Sequence, residues 1–235
     1  MIYIATHTDF DEYIKNNDNY KIIAKEELKK DYTVPVIVAD NDIAPMQFAY
    51  SEGFLIRDIQ LKTNDEWVGL NHYRRYFDNP QNETTIPTAM NVNMHQQYAS
   101  CHNINDLLQC EDIINEYFPE YSLQFDRINQ LYICNMFIMK REDFEEYCNF
   151  VFGVLEKFND KNNLHTDEDV YNYVSNNAKN GLYGRKQIDT KYQARLHGFL
   201  MERLGTIFFI IHFINKGEKV TFKPIHMVGN RIRNY

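Results

Sequence analysis

Apolar residues fall along this chain in two alternating patterns. Short runs rich in β-branched residues occur at Ile2–Thr6, at Val34–Ala39 just before Asp40-Asn41-Asp42, at Trp67–Leu70 leading into Asn71–Arg75, and at Leu131–Met139. Runs of this length bounded by polar turn residues predict strands. Between them, apolar residues recur every three or four positions. From Arg141 to Phe158 they are Phe144, Tyr147, Cys148, Val151, Leu155 and Phe158, one face of a helix. A second helix is predicted over Ile104–Phe118, from Leu107, Leu108, Ile113 and Ile114. Thr190–Ile214 reads as one long helix carrying Leu196, Phe199, Leu200 and Leu204. Residues 79–95, polar with two prolines, predict a loop of a length often tied to function. Alternating strands and helices predict an α/β domain with a mostly parallel central sheet and flanking helices.

Composition narrows the class. The chain has 235 residues, 44% of them hydrophobic and 25% charged, with 17 Tyr and 16 Phe, so it can bury a sizeable core and is not a disordered chain. A net charge of −8 excludes a nucleic-acid binder held by a phosphate-neutralising surface. Cys101, Cys110, Cys134 and Cys148 form no CxxC pair, which argues against structural zinc and fits a reducing cytoplasm. The opening residues, Met1–His7, lack the basic and apolar regions of a signal peptide. The longest apolar run, Leu204–Ile214, has eleven residues, too few to cross a bilayer and read as a buried helix. Charge is uneven: residues 216–235 carry +4 (Lys216, Lys219, Lys223, Arg231 and Arg233 against Glu218), leaving −12 on the rest. The division expected is a domain over 1–215 and a basic segment over 216–235, either a solvated end or a peripheral contact with an anionic membrane surface.

Three groups carry candidate chemistry. His72-Tyr73-Arg74-Arg75-Tyr76-Phe77 follows a strand, and ligands of open α/β sheets bind at strand carboxyl ends. Arginine offers a fixed fork of donors and a permanent charge, suited to a diphosphate. Neighbouring residues of an extended segment face opposite ways, so one of Arg74 and Arg75 is expected to reach the ligand and the other to pair internally. Asp40 and Asp42 could hold Mg²⁺ or Mn²⁺ against phosphates, or serve as turn residues. In Arg195-Leu-His-Gly-Phe-Leu-Met-Glu202, Arg195 and Glu202 share a helix face, and Gly198 permits close approach. Glu202 is a candidate general base or one half of a structural ion pair. No GxGxxG, GxxxxGK[ST], HExxH or GxSxG motif occurs, which argues against the common dinucleotide, P-loop, zinc-protease and serine-hydrolase chemistries.

Longer stretches add a resemblance. Asp65–Phe77 (DEWVGLNHYRRYF), Glu52 sixteen residues before Val68, Asn135–Cys148 with Val151–Leu155, and Arg195–Leu204 (RLHGFLMERL) resemble, in order, the conserved blocks of a family of bacterial capsule, exopolysaccharide and O-antigen glycosyltransferases, long carried as a domain of unknown function. Characterised relatives transfer galactofuranose from the UDP-sugar. Two blocks depart from the family pattern: Asp40–Ala44 only echoes its GDNIS segment, and the helix from Glu52 lacks its aromatics.

The resemblance implies a GT-A-like α/β domain. It also implies inverting transfer of a sugar from a UDP-sugar to a glycan or lipid-linked glycan acceptor, at the inner face of the cell membrane, and sometimes beside a second glycosyltransferase. Glu202 becomes the expected base. His72, Arg74, Arg75, Asn135 and Arg195 become the expected donor diphosphate and sugar ligands. Thr6, His7, Asp40, Asp42 and Glu52 become the expected nucleotide contacts, with a metal only if Asp40 and Asp42 bind one. A non-catalytic subunit that binds a nucleotide-sugar or glycan is the alternative.

Overall fold

The structure, a computed structural model, describes residues 1–14, 16–183 and 189–228. Its centre is a twisted sheet. Four strands, β1 (Ile2–Thr6), β2 (Tyr20–Ala24), β3 (Val36–Val38) and β4 (Trp67–His72), run parallel in the order β3-β2-β1-β4. The sheet continues through β7 (Phe137–Lys140), antiparallel to β4, then β6 (Thr85–Pro87) and β8 (Thr221–Lys223), which are parallel to each other. Within this path only β7 opposes the others, so the expected mostly parallel α/β sheet is what forms. A short flap is added by β5 (Arg75–Tyr76), which turns back on β4, and β9 (His226–Met227), which pairs with β5.

Strand residues bury both faces. Tyr3, Ala5, Ile23, Val68, Leu70, Phe137 and Met139 point into the larger core. That core is closed by α2 (Gly53–Lys62), α4 (Ile104–Tyr117), α5 (Arg141–Asn162) and α8 (Leu196–Phe208). Ile2, Ile4, Ile22, Met136 and Ile138 point the other way, under Phe10, Val34 and Phe77 from the connecting segments. Two covered faces explain why β1 is a continuous apolar run rather than an alternating one. The shorter helices α1 (Gln47–Tyr50), α3 (Met94–Cys101), α6 (Asp167–Lys179) and α7 (Thr190–Gln193) complete the helical side.

Several predicted elements change. The run Leu131–Met139 is a strand only from Phe137, because Cys134 (φ 74°) and Asn135 (φ 48°) adopt left-handed backbone that no strand admits. The long helix over Thr190–Ile214 breaks at Ala194 and Arg195 into α7 and α8, and α8 continues as a π-helical turn over Phe209–Ile214. The loop over 79–95 contains β6 and the start of α3. Tyr20–Ala24, whose Lys21 interrupts a short apolar run, is a strand the pattern did not predict. Part of the basic segment 216–235 joins the sheet as β8 and β9; Arg231 and Arg233 lie outside the described residues.

Gly198 fixes the spacing of α8 against α1. A Cβ there would lie 2.8 Å from Ser51 Cβ and 3.4 Å from the Tyr50 carbonyl oxygen, and neither neighbour is the free end of a flexible chain. Gly198→Ala is therefore expected to destabilise the fold by about 1–3 kcal/mol. Denaturant unfolding tests this, and an unchanged midpoint would show that the two helices can separate at little cost.

Candidate active site

A cavity of about 400 Å³ opens at the carboxyl ends of β1, β2 and β4. β2 lies on one side of β1 and β4 on the other, so the cavity occupies the point where strand order reverses, the usual ligand crevice of open α/β sheets. The strand ends supply Thr6 and His7, Lys25 and Glu26, and His72, Tyr73 and Arg74. The opposite wall comes from Gln47, Phe48, Ser51, Glu52 and Leu55, with Asp167 and Arg195 from the starts of α6 and α8.

Glu52 is at the centre of this arrangement. Its Oε1 lies 3.6 Å from Arg195 Nη2 and 3.9 Å from His72 Nδ1. Burial alone would raise the Glu52 carboxyl, but His72 and the permanently charged Arg195 reverse this and hold it well below the usual carboxylate range. Burial lowers His72, and the Glu52 carboxylate opposes this by favouring the imidazolium. Ser51, at φ 56°, adopts left-handed backbone and offers its Oγ to Arg195 Nε (3.1 Å) and Nη2 (2.5 Å). A strained residue that receives the guanidinium marks where the helical wall is over-determined by its contacts. Asp167 accepts from the Phe48 and Ala49 N–H groups at 3.1 and 2.9 Å, which fixes α1 over the cavity.

At the strand ends, β4 and β5 form a hairpin rather than one extended segment, with Tyr73 and Arg74 at its turn. Arg74 is exposed, stacks on the Tyr73 ring at 4.8 Å and lines the cavity. Arg75 sits on β5, half-buried, and does not line it. Thus one of the two arginines reaches the cavity, although a turn rather than strand alternation separates them. His7 is exposed to solvent and packs edge-on against Tyr73 at 5.2 Å; partial desolvation in the site, with Lys25 nearby, lowers its pKa. Lys25 donates to the Gln47 carbonyl oxygen at 2.6 Å, and burial lowers its ammonium to about 8.

Thr6, His7, Glu52, His72, Arg74 and Arg195 are therefore brought together, whereas the remaining sequence candidates do not line the cavity. Asp42 is held by Arg57, whose Nε and Nη2 reach its two oxygens at 3.0 and 2.6 Å. Neither Asp42 nor the exposed Asp40 lines the cavity. With both Asp42 oxygens on one guanidinium, the pair does not fit a cation. Glu202 and Asn135 do not line the cavity but stand next to it, around Cys134, whose backbone faces the His72 imidazole. The Cys134 N–H donates to Glu202 Oε1 at 2.9 Å, and Arg203 Nη1 donates to Oε2 at 2.9 Å. Glu202 thereby pins the left-handed Cys134–Asn135 turn, and its carboxylate is already engaged at both oxygens. Asn135 follows in that turn, its side-chain oxygen buried without a hydrogen-bond partner.

Lys25 and Ser51 are cavity residues the pattern reading did not single out. Lys25 follows the unpredicted strand β2, so the signal that would have found it is the strand itself. A second cavity of about 380 Å³ lies on the helical side among Phe118, Tyr121, Phe150 and His212, with Glu120 and Glu146 against Lys216. It is distant from the parallel strand ends and offers little to an anion.

Comparison with known proteins bears on the fold. A family model described as a domain of unknown function (DUF4422) matches residues 83–177. That stretch includes Asn135–Leu155 but neither the His72–Phe77 segment nor Arg195–Leu204. None of the curated proteins matches the sequence. Among solved structures, the chain superposes on the apo structure of the bifunctional glycosyltransferase WbbM with a TM-score of 0.73 at 18% identity, over 97% of this chain and 45% of that one. The chain thus spans less than half of that protein, and the two share a fold.

The clamp at Glu202 makes a stability prediction. Glu202→Ala strips the charge partner from Arg203, which is only 2% exposed, and leaves the Cys134 N–H unpaired, at a cost of about 2–4 kcal/mol. Glu202→Gln keeps one acceptor and costs less. Equal unfolding midpoints for both variants and the parent chain would show that the clamp is not holding the turn.

Proposed function

We propose that the chain is a glycosyltransferase domain that takes a sugar from a UDP-sugar donor, galactofuranose in the reading the motif resemblance favours, and transfers it with inversion to a growing cell-surface polysaccharide. The observation that carries this reading is the convergence of Arg74 and Arg195 on a cavity at the strand-order reversal of a glycosyltransferase fold. Negative charge builds on the departing diphosphate as the glycosidic bond breaks, and fixed guanidinium groups at that point stabilise it. With Asp40 and Asp42 outside the cavity, this function falls to the arginines and not to a metal those carboxylates would hold. Ser51 and Glu52 hold the Arg195 guanidinium in place.

Inversion in one step needs a base for the acceptor hydroxyl. Glu202, expected from the resemblance, already accepts a hydrogen bond at each oxygen and does not line the cavity, so it is not placed to reach an acceptor hydroxyl there. His7, neutral and exposed at the cavity mouth, is better suited, and we assign it that role. The lining carboxylates Glu52 and Asp167 are both engaged, which favours the alternative of a binding subunit without turnover if His7 proves dispensable.

Calorimetric titration with UDP tests the donor site. Arg74→Ala is expected to weaken UDP by about tenfold or more, Arg75→Ala by less, and EDTA to leave affinity unchanged. Equal affinity in the parent chain and Arg74→Ala would overturn the diphosphate assignment. In a transfer assay, His7→Ala is expected to lower kcat by about 10²-fold or more with UDP affinity preserved. Full turnover in that variant would remove the base assignment, and UDP binding by a parent chain that never turns over would support the binding subunit.

A further inference from the structure

Lys25 is the third cation of the cavity, and nothing in the proposed chemistry so far uses it. It is half-buried at the carboxyl end of β2. Its Nζ donates to the Gln47 carbonyl oxygen at 2.6 Å, which leaves two ammonium donors for other partners. Among the described residues no carboxylate stands within ion-pair distance of it. A partly buried cation is ordinarily paired, because desolvation penalises the lone charge. The charged groups facing it are Glu52, committed to Arg195 and His72, and Asp167, committed to the α1 N–H groups, with Arg195 and His7 adding no negative charge. Its neighbour Glu26 also lines the cavity, yet makes no ion pair with it.

We propose that Lys25 is a phosphate-binding residue whose missing counter-charge is supplied by the ligand, so that Lys25, Arg74 and Arg195 together grip a diphosphate from β2, from the β4–β5 turn and from the start of α8. This rests on the nucleotide-sugar reading only in its choice of ligand, since inorganic pyrophosphate carries the same recognition chemistry. Binding then couples to a proton. In the free protein burial lowers the ammonium to about 8, so near that pH part of the population is neutral. A bound diphosphate restores the charge, and the complex therefore takes up a proton from solution. Affinity falls as pH rises above that point, because binding must then bring a proton with it. His7, with its lowered pKa, is neutral throughout this window and does not contribute.

The test is calorimetry with pyrophosphate and, separately, with UDP, between pH 7.5 and 9 in buffers of differing ionisation enthalpy, on the parent chain, Lys25→Met and Lys25→Arg. The parent is expected to take up a fraction of a proton per ligand. Lys25→Met should lose that uptake and bind about 10- to 100-fold more weakly. Lys25→Arg should keep most of the affinity and lose the part of the proton uptake that Lys25 contributes, leaving only the ligand's own titration. Pyrophosphate binding with these signatures, but no gain from the uridine, would support Lys25 and count against the nucleotide reading. UDP binding by the parent with no proton uptake and equal affinity in Lys25→Met would overturn the role of Lys25 and leave the nucleotide reading standing. Failure of both ligands to bind would overturn both.

Discussion

Glu52 ties together three parts of the chain that are far apart in sequence. Its carboxylate sits at the entrance to α2, within 3.9 Å of His72 at the end of β4 and 3.6 Å of Arg195 at the start of α8. A carboxylate partly withdrawn from water is tolerated because a permanent guanidinium faces it. The guanidinium is held in turn by Ser51, in a backbone conformation that only surrounding contacts can maintain. Gly198 lets α8 approach closely enough for that contact, and Asp167 secures α1 from the other side. The cavity wall is thus built before any ligand arrives.

This arrangement also decides which charges are left over. Glu52 and Asp167 are committed to the framework, whereas Arg74 and Lys25 line the cavity with no ion-pair partner among the described residues. An anionic ligand is the complement of such a surface. Next to His72, around Cys134, a similar pairing gives Glu202 a structural task. The turn at Cys134 and Asn135 needs an acceptor for its N–H and Arg203 needs a counter-charge, and one carboxylate meets both.

Much of this was legible in the sequence. Ile2–Thr6 and Trp67–Leu70 are buried on both faces, so their runs are unbroken, and they place Thr6, His7, His72 and Arg74 at strand ends. The resemblance of blocks placed Glu52 and Arg195 alongside them, which spacing alone did not. What was not legible has local causes. β2 is only Tyr20–Ala24 and carries a charged residue within it, so it raised no strand signal and concealed Lys25. The run from Leu131 is interrupted by backbone, not by composition, since Cys134 is apolar and reads as strand. Asp40 and Asp42 had the spacing of ligands, but Arg57, on α2, takes up Asp42, and no pattern in the Asp40 segment announces that partner. Glu202 lies on the helix that Arg195 caps, yet its neighbours Cys134 and Arg203 set its role.

The most direct measurement is a crystal structure of the protein grown or soaked with UDP. The diphosphate is predicted to lie at the carboxyl ends of β1, β2 and β4, between Arg74 and Arg195 and within hydrogen-bond distance of Lys25. Well-defined UDP in the second cavity, among Phe118, Tyr121 and Phe150, with the strand-end cavity holding only solvent, would contradict it.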